Sequence, residues 1–196
     1  TVPFGVDPDE YADDGPSSNS APVFFHLGSM DWLPNEEGIR WLLDNVWPKV
    51  LKKRPKARLN LAGNKMPQDL MNRELEGVSI KGRVKNAIAY MKNRQVMVVP
   101  LFSAGGMRVK IIEGMAMGKA IISTPIGAEG IAHTDGKNIL LARNMTEFAE
   151  HIIALHDDPS LVADLGANAR KLVRTSYSDG PIVQELVAFY KRLLKA

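Results

Sequence analysis

Short apolar runs alternate along the chain with stretches in which apolar residues recur every three or four positions. The runs predict strands at 22–27, 58–62, 78–80, 96–101, 120–123 and 138–142, and the run at 96–101, β-branched and without polar alternation, suits a strand covered on both faces. The periodic stretches predict helices over 36–53, 67–74, 85–93, 107–117, 147–156, 160–176 and 182–195. Strands that alternate with helices in this way indicate an α/β fold, with a doubly wound, parallel, six-stranded Rossmann-like sheet.

The helix predicted over 107–117 is the most informative element, because apolar residues cover almost all of its surface. Its charged residues, Arg108, Lys110 and Glu113, lie in its first two turns, directly after Gly105 and Gly106. Free N–H groups and the positive dipole end at a helix start favour an anion, and glycines allow close approach to the backbone. The pattern predicts a phosphate site. A Lys110–Glu113 pair at i, i+3 on a solvated edge explains the same charges, and periodicity leaves both interpretations open.

Other features of the sequence narrow the function. Doubly wound sheets bind ligands beyond the carboxyl ends of their strands, which places the expected site beside the turn at Gly105 and Gly106. No G-x-G-x-x-G follows the first strand and the chain contains no P-loop, which disfavours a dinucleotide oxidoreductase or a P-loop enzyme. The four histidines form no i, i+4 pair and the chain has no cysteine, so we expect no metal site.

The segment over 105–131, GGMRVKIIEGMAMGKAIISTPIGAEGI, resembles the nucleotide-binding segment of family 4 glycosyltransferases of GT-B fold, the glycosyl transferases group 1. Members carry two glutamates eight positions apart, followed by Ala-Met-Ala-x-Gly-x-Pro. Glu113 matches the second glutamate, and Gly105 stands where the first would fall. The stretch from Ala104 to Glu113 is more similar to a subgroup that reads Gly-Gly-Gly-Thr-Arg-Leu-Lys-Ile-Leu-Glu.

The resemblance implies the donor-binding lobe of a retaining, hexosyltransferase-type enzyme that uses a nucleoside diphosphate sugar. Glu113 would bind the ribose of that donor. The helix start over 105–107, together with Arg108 and Lys110, would bind the diphosphate and stabilise it as it leaves with growing negative charge. The resemblance implies no metal and no other cofactor, and we assign no general base within this chain.

Two further segments of the chain carry weaker resemblance to the family. Gly28 follows the first strand where many members have a glycine loop, although the Arg and Lys that follow in those members are absent here. Arg108 and Lys110 would then supply that charge instead. Arg83 and Val84 follow the third strand, where the family contacts the nucleotide base through backbone groups; a plain surface turn with a solvated arginine is the alternative.

Composition shifts and the resemblance together divide the chain into three parts. Residues 1–20 are rich in Pro, Asp and Ser and include a Val-Pro-Phe-Gly-Val-Asp run similar to the segment that joins the two lobes of these enzymes. We therefore expect an interdomain linker over 1–20, a nucleotide-sugar-binding domain over 21–180, and a C-terminal helix over 181–196. That helix would pack towards an N-terminal acceptor lobe that this chain lacks, leaving part of its apolar face bare here.

Charge and composition add little to this interpretation. The net charge is +3, and basic residues cluster between Lys49 and Arg58. A solvated helix end explains the cluster; a peripheral contact with anionic lipid head groups or nucleic acid is the alternative, and we expect no nucleic-acid partner. The absence of cysteine and of a long apolar run fits a cytoplasmic protein, with a membrane-peripheral position as the alternative.

The sequence favours sugar transfer to a glycan, lipid or other acceptor, as in polysaccharide biosynthesis. We expect the chain by itself to be inactive, because the acceptor would be bound by the lobe it lacks. Two alternatives stay open: a nucleotide-sugar epimerase or hydrolase on the same scaffold, and a non-catalytic nucleotide-binding lobe. The second is suggested by Gly105 at the position of the usual first glutamate.

Overall fold

The computed structural model describes residues 4–11 and 21–194 and contains one six-stranded sheet in which every pairing is parallel. The strand order is β3-β2-β1-β4-β5-β6. The strands are β1 (Val23–Leu27), β2 (Arg58–Ala62), β3 (Val78–Lys81), β4 (Val96–Val99), β5 (Ala120–Ser123) and β6 (Leu140–Leu141). Each lies within or beside a run predicted from the sequence, so the predicted α/β class and sheet are confirmed.

Eight α-helices flank this sheet in the described residues. They are α1 (Leu33–Trp41), α2 (Trp47–Lys53), α3 (Gln68–Met71), α4 (Ala87–Lys92), α5 (Val109–Ala116), α6 (Met145–Asp157), α7 (Pro159–Ser176) and α8 (Asp179–Leu193). None of the helices in this part of the chain is both long and apolar enough to cross a membrane.

The core lies on both faces of the sheet because neighbouring strand residues point to opposite sides. Phe24 packs into a cluster formed with α1, α2 and α6, whereas Phe25 packs into a cluster formed with α5 and α7. All four residues of β4 are buried, and so are all four of β5. The apolar runs without polar alternation therefore correspond to strands covered on both faces, as expected.

The helix predicted over 36–53 is one continuous helical segment from Leu33 to Lys53 with a π-helical turn, Leu42–Val46, in its middle. Pro48 lies two residues after the end of this turn, and a proline has no N–H to donate to the carbonyl four residues earlier. A local widening of the helix accommodates the lost hydrogen bond. The segment begins before the predicted start because Pro34 is well tolerated in a first helical turn.

Several helix starts differ from the prediction. The helix α5 begins at Val109 rather than 107, which leaves Met107 and Arg108 in the preceding turn. The helix α6 is capped by Asn144, whose side chain accepts from two N–H groups, and it therefore begins before 147. Asp179-Gly180-Pro181, expected to separate two helices, instead forms the first turn of α8.

The C-terminal helix α8 leaves a row of apolar side chains exposed, among them Val183, Val187, Tyr190 and Leu193. At the other end of the chain, residues 4–11 of the expected linker pack on the domain. Val6 is buried, and its N–H donates to the carbonyl of Tyr177 over 2.8 Å. The rest of the expected linker, 1–3 and 12–20, lies outside the described residues.

The switch point of the sheet lies between β1 and β4, because the strand order runs outward in opposite directions from this pair. Phe24 of β1 stands in register with Val96 of β4. Both strands end at the same edge, where Gly28 follows β1 and Pro100 follows β4. Helix α1 approaches this edge so closely that a β-carbon on Gly38 would lie 1.9 Å from the carbonyl oxygen of Pro100.

A Gly38→Ala substitution is therefore expected to destabilise the fold by about 3 kcal/mol, because a backbone carbonyl cannot give way to the added methyl group. Urea unfolding gives the free-energy difference. The matched control is Gly180→Ala, also on a helix but with nothing within 4 Å of the new β-carbon, which should stay within about 0.5 kcal/mol of the unmutated chain. Equal stabilities for the two variants would contradict the close packing of α1 on β4.

Candidate functional site

A cavity of about 390 Å³ opens at the carboxyl ends of β1 and β4. Its volume lies within the usual range for small-molecule sites. Its wall combines the loop after β1, the start of α1, and the turn between β4 and α5. The cavity is lined by five of the residues singled out from the sequence: Gly28, Gly105, Met107, Arg108 and Lys110.

The glycine turn that precedes α5 is open. Gly106 has a φ of +74°, a value that favours glycine. A β-carbon on Gly105 or Gly106 would meet no atom within 4 Å, so no side chain of residues 4–11 or 21–194 fills the space in front of this backbone. The start of α5 can therefore be approached by a ligand, as the glycines suggested.

Arg108 is the buried cation of the cavity. Its side chain is 9% exposed, and Nη2 donates to the backbone carbonyl of Glu129 over 3.3 Å. Nε and Nη1 are shielded from solvent and have no hydrogen-bond partner in the structure. Burying a charged group with unsatisfied donors is costly, so this guanidinium is suited to an anion entering the cavity.

Lys110 and Glu113 form the i, i+3 pair that the sequence offered as the alternative to a phosphate site. Lys110 Nζ lies 2.9 Å from Glu113 Oε2, and the hydroxyl of Tyr11 donates to Glu113 Oε1 over 3.2 Å. Burial, the charge of Glu113 and this hydrogen bond raise the pKa of Tyr11. Glu113 thus faces Tyr11 and Lys110 and is not among the residues that line the cavity. Lys110 both pairs with Glu113 and lines the cavity.

Arg83 and Val84 lie at the same edge of the sheet but away from the cavity lining. They follow β3, which is separated from β1 by β2. The N–H of Gly63 donates to the carbonyl of Gly82 over 3.2 Å, which joins this turn to the end of β2. Arg83 is exposed, as expected for a surface turn. Neither residue is among those that line the cavity, although Val84 packs against the same apolar cluster as Leu27 and Met107, which do line it.

His26 belongs to the cavity wall, a role that sequence reasoning missed. The ring is 3% exposed, Nδ1 lies 2.9 Å from the carbonyl oxygen of Val98, and Nε2 has no hydrogen-bond partner in the structure. Burial lowers the pKa of His26 to about 4, so the imidazole is neutral at pH 7. The sequence does contain a signal for this role: His26 is a polar residue inside the apolar run VFFHL, next to the carboxyl end of a strand, where ligands of such sheets bind.

Gly28 lies between the side chains of His26 and Asn35. A β-carbon on Gly28 would stand 2.6 Å from Asn35 Nδ2 and 2.8 Å from His26 Nε2. Asn35 itself donates to the backbone carbonyl of Ser29 over 2.8 Å. Glycine is therefore required here by close packing of two polar groups.

Across residues 4–11 and 21–194, no group of three or more His, Asp or Glu side chains is arranged to hold a metal ion.

Comparison with known proteins identifies related sequences. The family model described as glycosyl transferases group 1 matches residues 21–158. A protein of Klebsiella pneumoniae, described as an uncharacterized 44.6 kDa protein in the cps region, is 25% identical over 171 residues. The matched region covers 82% of this chain and 44% of the relative, so the chain spans less than half of that protein's length.

Solved structures of similar fold include S. aureus TarM, as a mutant in complex with fondaparinux, α-GlcNAc-glycerol and UDP. Its TM-score is 0.76 at 19% identity, covering 96% of this chain and 38% of TarM. The C-terminal domain of the glycosyl transferase group 1 family protein LpcC from Francisella tularensis matches with a TM-score of 0.66 at 18% identity. That match covers 89% of this chain and 100% of the LpcC domain. At these identities the structures establish a shared fold.

The buried neutral His26 predicts that acid destabilises the fold. The unfolded chain takes up a proton near pH 6.5, whereas folded His26 does so only near pH 4. Its contribution to stability is therefore full above pH 6.5 and falls as the pH drops towards 4. Between pH 7.5 and pH 5 the chain should lose about 2 kcal/mol more than the His26→Gln variant, measured by urea unfolding. Parallel losses in the two proteins would contradict a buried neutral imidazole.

Proposed function

The chain belongs to the glycosyl transferases group 1 family, and from this premise we propose that its cavity binds the diphosphate of a nucleoside diphosphate sugar. The observation that carries the proposal is Arg108, a buried guanidinium with two nitrogens that find no partner among the described residues, beside an open glycine turn. A diphosphate offers several acceptor oxygens and negative charge, which match those nitrogens and the free N–H groups at the start of α5.

Glu113 is proposed to bind the ribose of this donor. Its carboxylate accepts from the hydroxyl of Tyr11, the type of hydrogen bond that a ribose hydroxyl would form. A bound ribose would replace Tyr11 on Oε1, and Lys110 would remain paired with Oε2 or turn to the phosphates. The base would extend along the sheet edge towards the backbone of Arg83 and Val84.

The reaction proposed for the whole enzyme is transfer of the sugar, with retention, to a glycan, lipid or other acceptor. Arg108, Lys110 and the start of α5 would stabilise the diphosphate as negative charge grows on it during departure. This role needs only positive charge and N–H groups. We therefore propose that the nucleoside diphosphate sugar is a substrate and that the reaction uses no metal and no other cofactor. The acceptor would be bound by a second lobe, and transfer by these 196 residues alone is not expected.

Uridine is one candidate for the nucleoside of the donor, since TarM, whose fold is similar, forms a complex with UDP. A binding panel of UDP, GDP and ADP and their sugars identifies the base, because a ligand that binds only the folded state raises stability by RT ln(1 + [L]/Kd).

The second candidate function is a non-catalytic nucleotide-binding lobe, favoured by the hydrogen bond and ion pair that already occupy Glu113 through Tyr11 and Lys110. Product analysis on the full-length parent distinguishes it, since sugar transfer or hydrolysis would exclude it.

An Arg108→Gln substitution should weaken binding of the preferred nucleoside diphosphate at least ~10-fold, because charge-assisted hydrogen bonds to the phosphates are lost. The thermal midpoint without ligand should stay the same or rise, since a buried charge with unpaired donors is removed. Calorimetric titration gives the dissociation constants.

The matched control for this experiment is Arg58→Gln. Arg58 is the exposed first residue of β2, at the opposite edge of the sheet from the cavity, and its loss should change the affinity less than ~2-fold. If Arg108→Gln binds the diphosphate as tightly as the unmutated chain, or if no nucleotide of the panel binds at all, the proposed function is wrong.

A further inference from the structure

The cavity wall contains hydrogen-bonding groups of two kinds. Arg108 and the N–H groups of the turn before α5 are donors, and a diphosphate, which offers only acceptors, can satisfy them. His26 Nε2 is different, because Nδ1 lies 2.9 Å from the carbonyl oxygen of Val98. A carbonyl accepts and never donates, so the proton sits on Nδ1 and leaves a lone pair on Nε2.

This lone pair is not suited to a phosphate oxygen. Protonation of Nε2 would turn it into a donor, but the ring is buried and shares its cavity with Arg108 and Lys110, both cationic. Burial and nearby positive charge each disfavour an imidazolium. The group that satisfies Nε2 must therefore bring its own proton, as a hydroxyl does.

Asn35 places a donor beside His26. The two side chains pack around Gly28 so closely that an added β-carbon would stand 2.6 Å from Asn35 Nδ2 and 2.8 Å from His26 Nε2, and all three residues line the cavity. A neighbouring acceptor and donor on a cavity wall can bind one hydroxyl group that approaches from the cavity, because a hydroxyl both donates and accepts. Such paired recognition is typical of sites that discriminate by hydroxyl position.

We propose that His26 and Asn35 form a recognition pair for a hydroxyl of the donor's sugar, with His26 Nε2 accepting from that hydroxyl and Asn35 Nδ2 donating to it. This inference rests on the proposed function, which assigns the phosphates to Arg108 and the ribose to Glu113. The transferred sugar is then the part of the donor that has hydroxyls left for this side of the cavity. His26 and Asn35 are specificity residues in this account, and they take no part in bond breaking.

The test compares affinities for UDP and GDP with those for UDP-glucose, UDP-N-acetylglucosamine and GDP-mannose. In His26→Asn, the shorter amide still reaches the carbonyl of Val98 but offers nothing at the position of Nε2. It should weaken binding of the preferred nucleotide sugar about tenfold and change binding of the matching nucleoside diphosphate less than ~2-fold. His26→Gln, which offers an amide oxygen near that position, should recover part of the loss.

Asn35→Ala gives an independent variant should His26→Asn fail to fold, and it should show the same selective loss. Its matched control is Asn45→Ala, an exposed asparagine on the same helical segment whose side chain donates to the carbonyl of Trp41. Equal changes for the nucleotide sugar and the free diphosphate, or no change for either, overturn the inference while leaving the proposed function in place. Failure of the unmutated chain to bind these five probes and also ADP and ADP-glucose overturns both.

Discussion

The parallel pairing of β1 with β4 is the constraint on which the rest of the structure depends. It joins two strands that are far apart in sequence and places Phe24 against Val96 in the middle of the sheet. Because the chain crosses over in opposite directions from this pair, the loops after both strands separate at one edge and leave a crevice there. The cavity, the glycine turn and the start of α5 all follow from that single reversal of strand order.

Because helices cover both faces of the sheet, polar side chains that serve a ligand are expected at the carboxyl ends of its strands. The strands β4 and β5 are fully buried, so most of the sheet offers no room for charge. Arg108 and His26 are two buried polar residues in the cavity wall, and both have nitrogen atoms without a hydrogen-bond partner among the described residues. Unsatisfied polar groups inside a protein lower stability, and two of them in the wall of one cavity are expected where a ligand completes the hydrogen bonding.

Much of this arrangement could be predicted from the sequence, and the remainder depends on contacts between distant segments. The six strands were predictable because each is a short apolar run, and the cavity beside the turn at Gly105 and Gly106 was predictable because ligands of doubly wound sheets lie beyond the strand ends. The partner of Glu113 was not, since Tyr11 comes from a segment 102 positions away. His26 was treated only as a candidate metal ligand, because its bond to Val98 becomes visible only when β1 and β4 are paired.

The most direct test of the central claim is a crystal structure of the chain with UDP, or with whichever nucleoside diphosphate binds most tightly. The account predicts phosphate oxygens within hydrogen-bond distance of Arg108 Nη1 and of the N–H groups between Gly106 and Val109. A nucleotide bound elsewhere, with Arg108 still bonded to the carbonyl of Glu129 alone and the glycine turn empty, would contradict it.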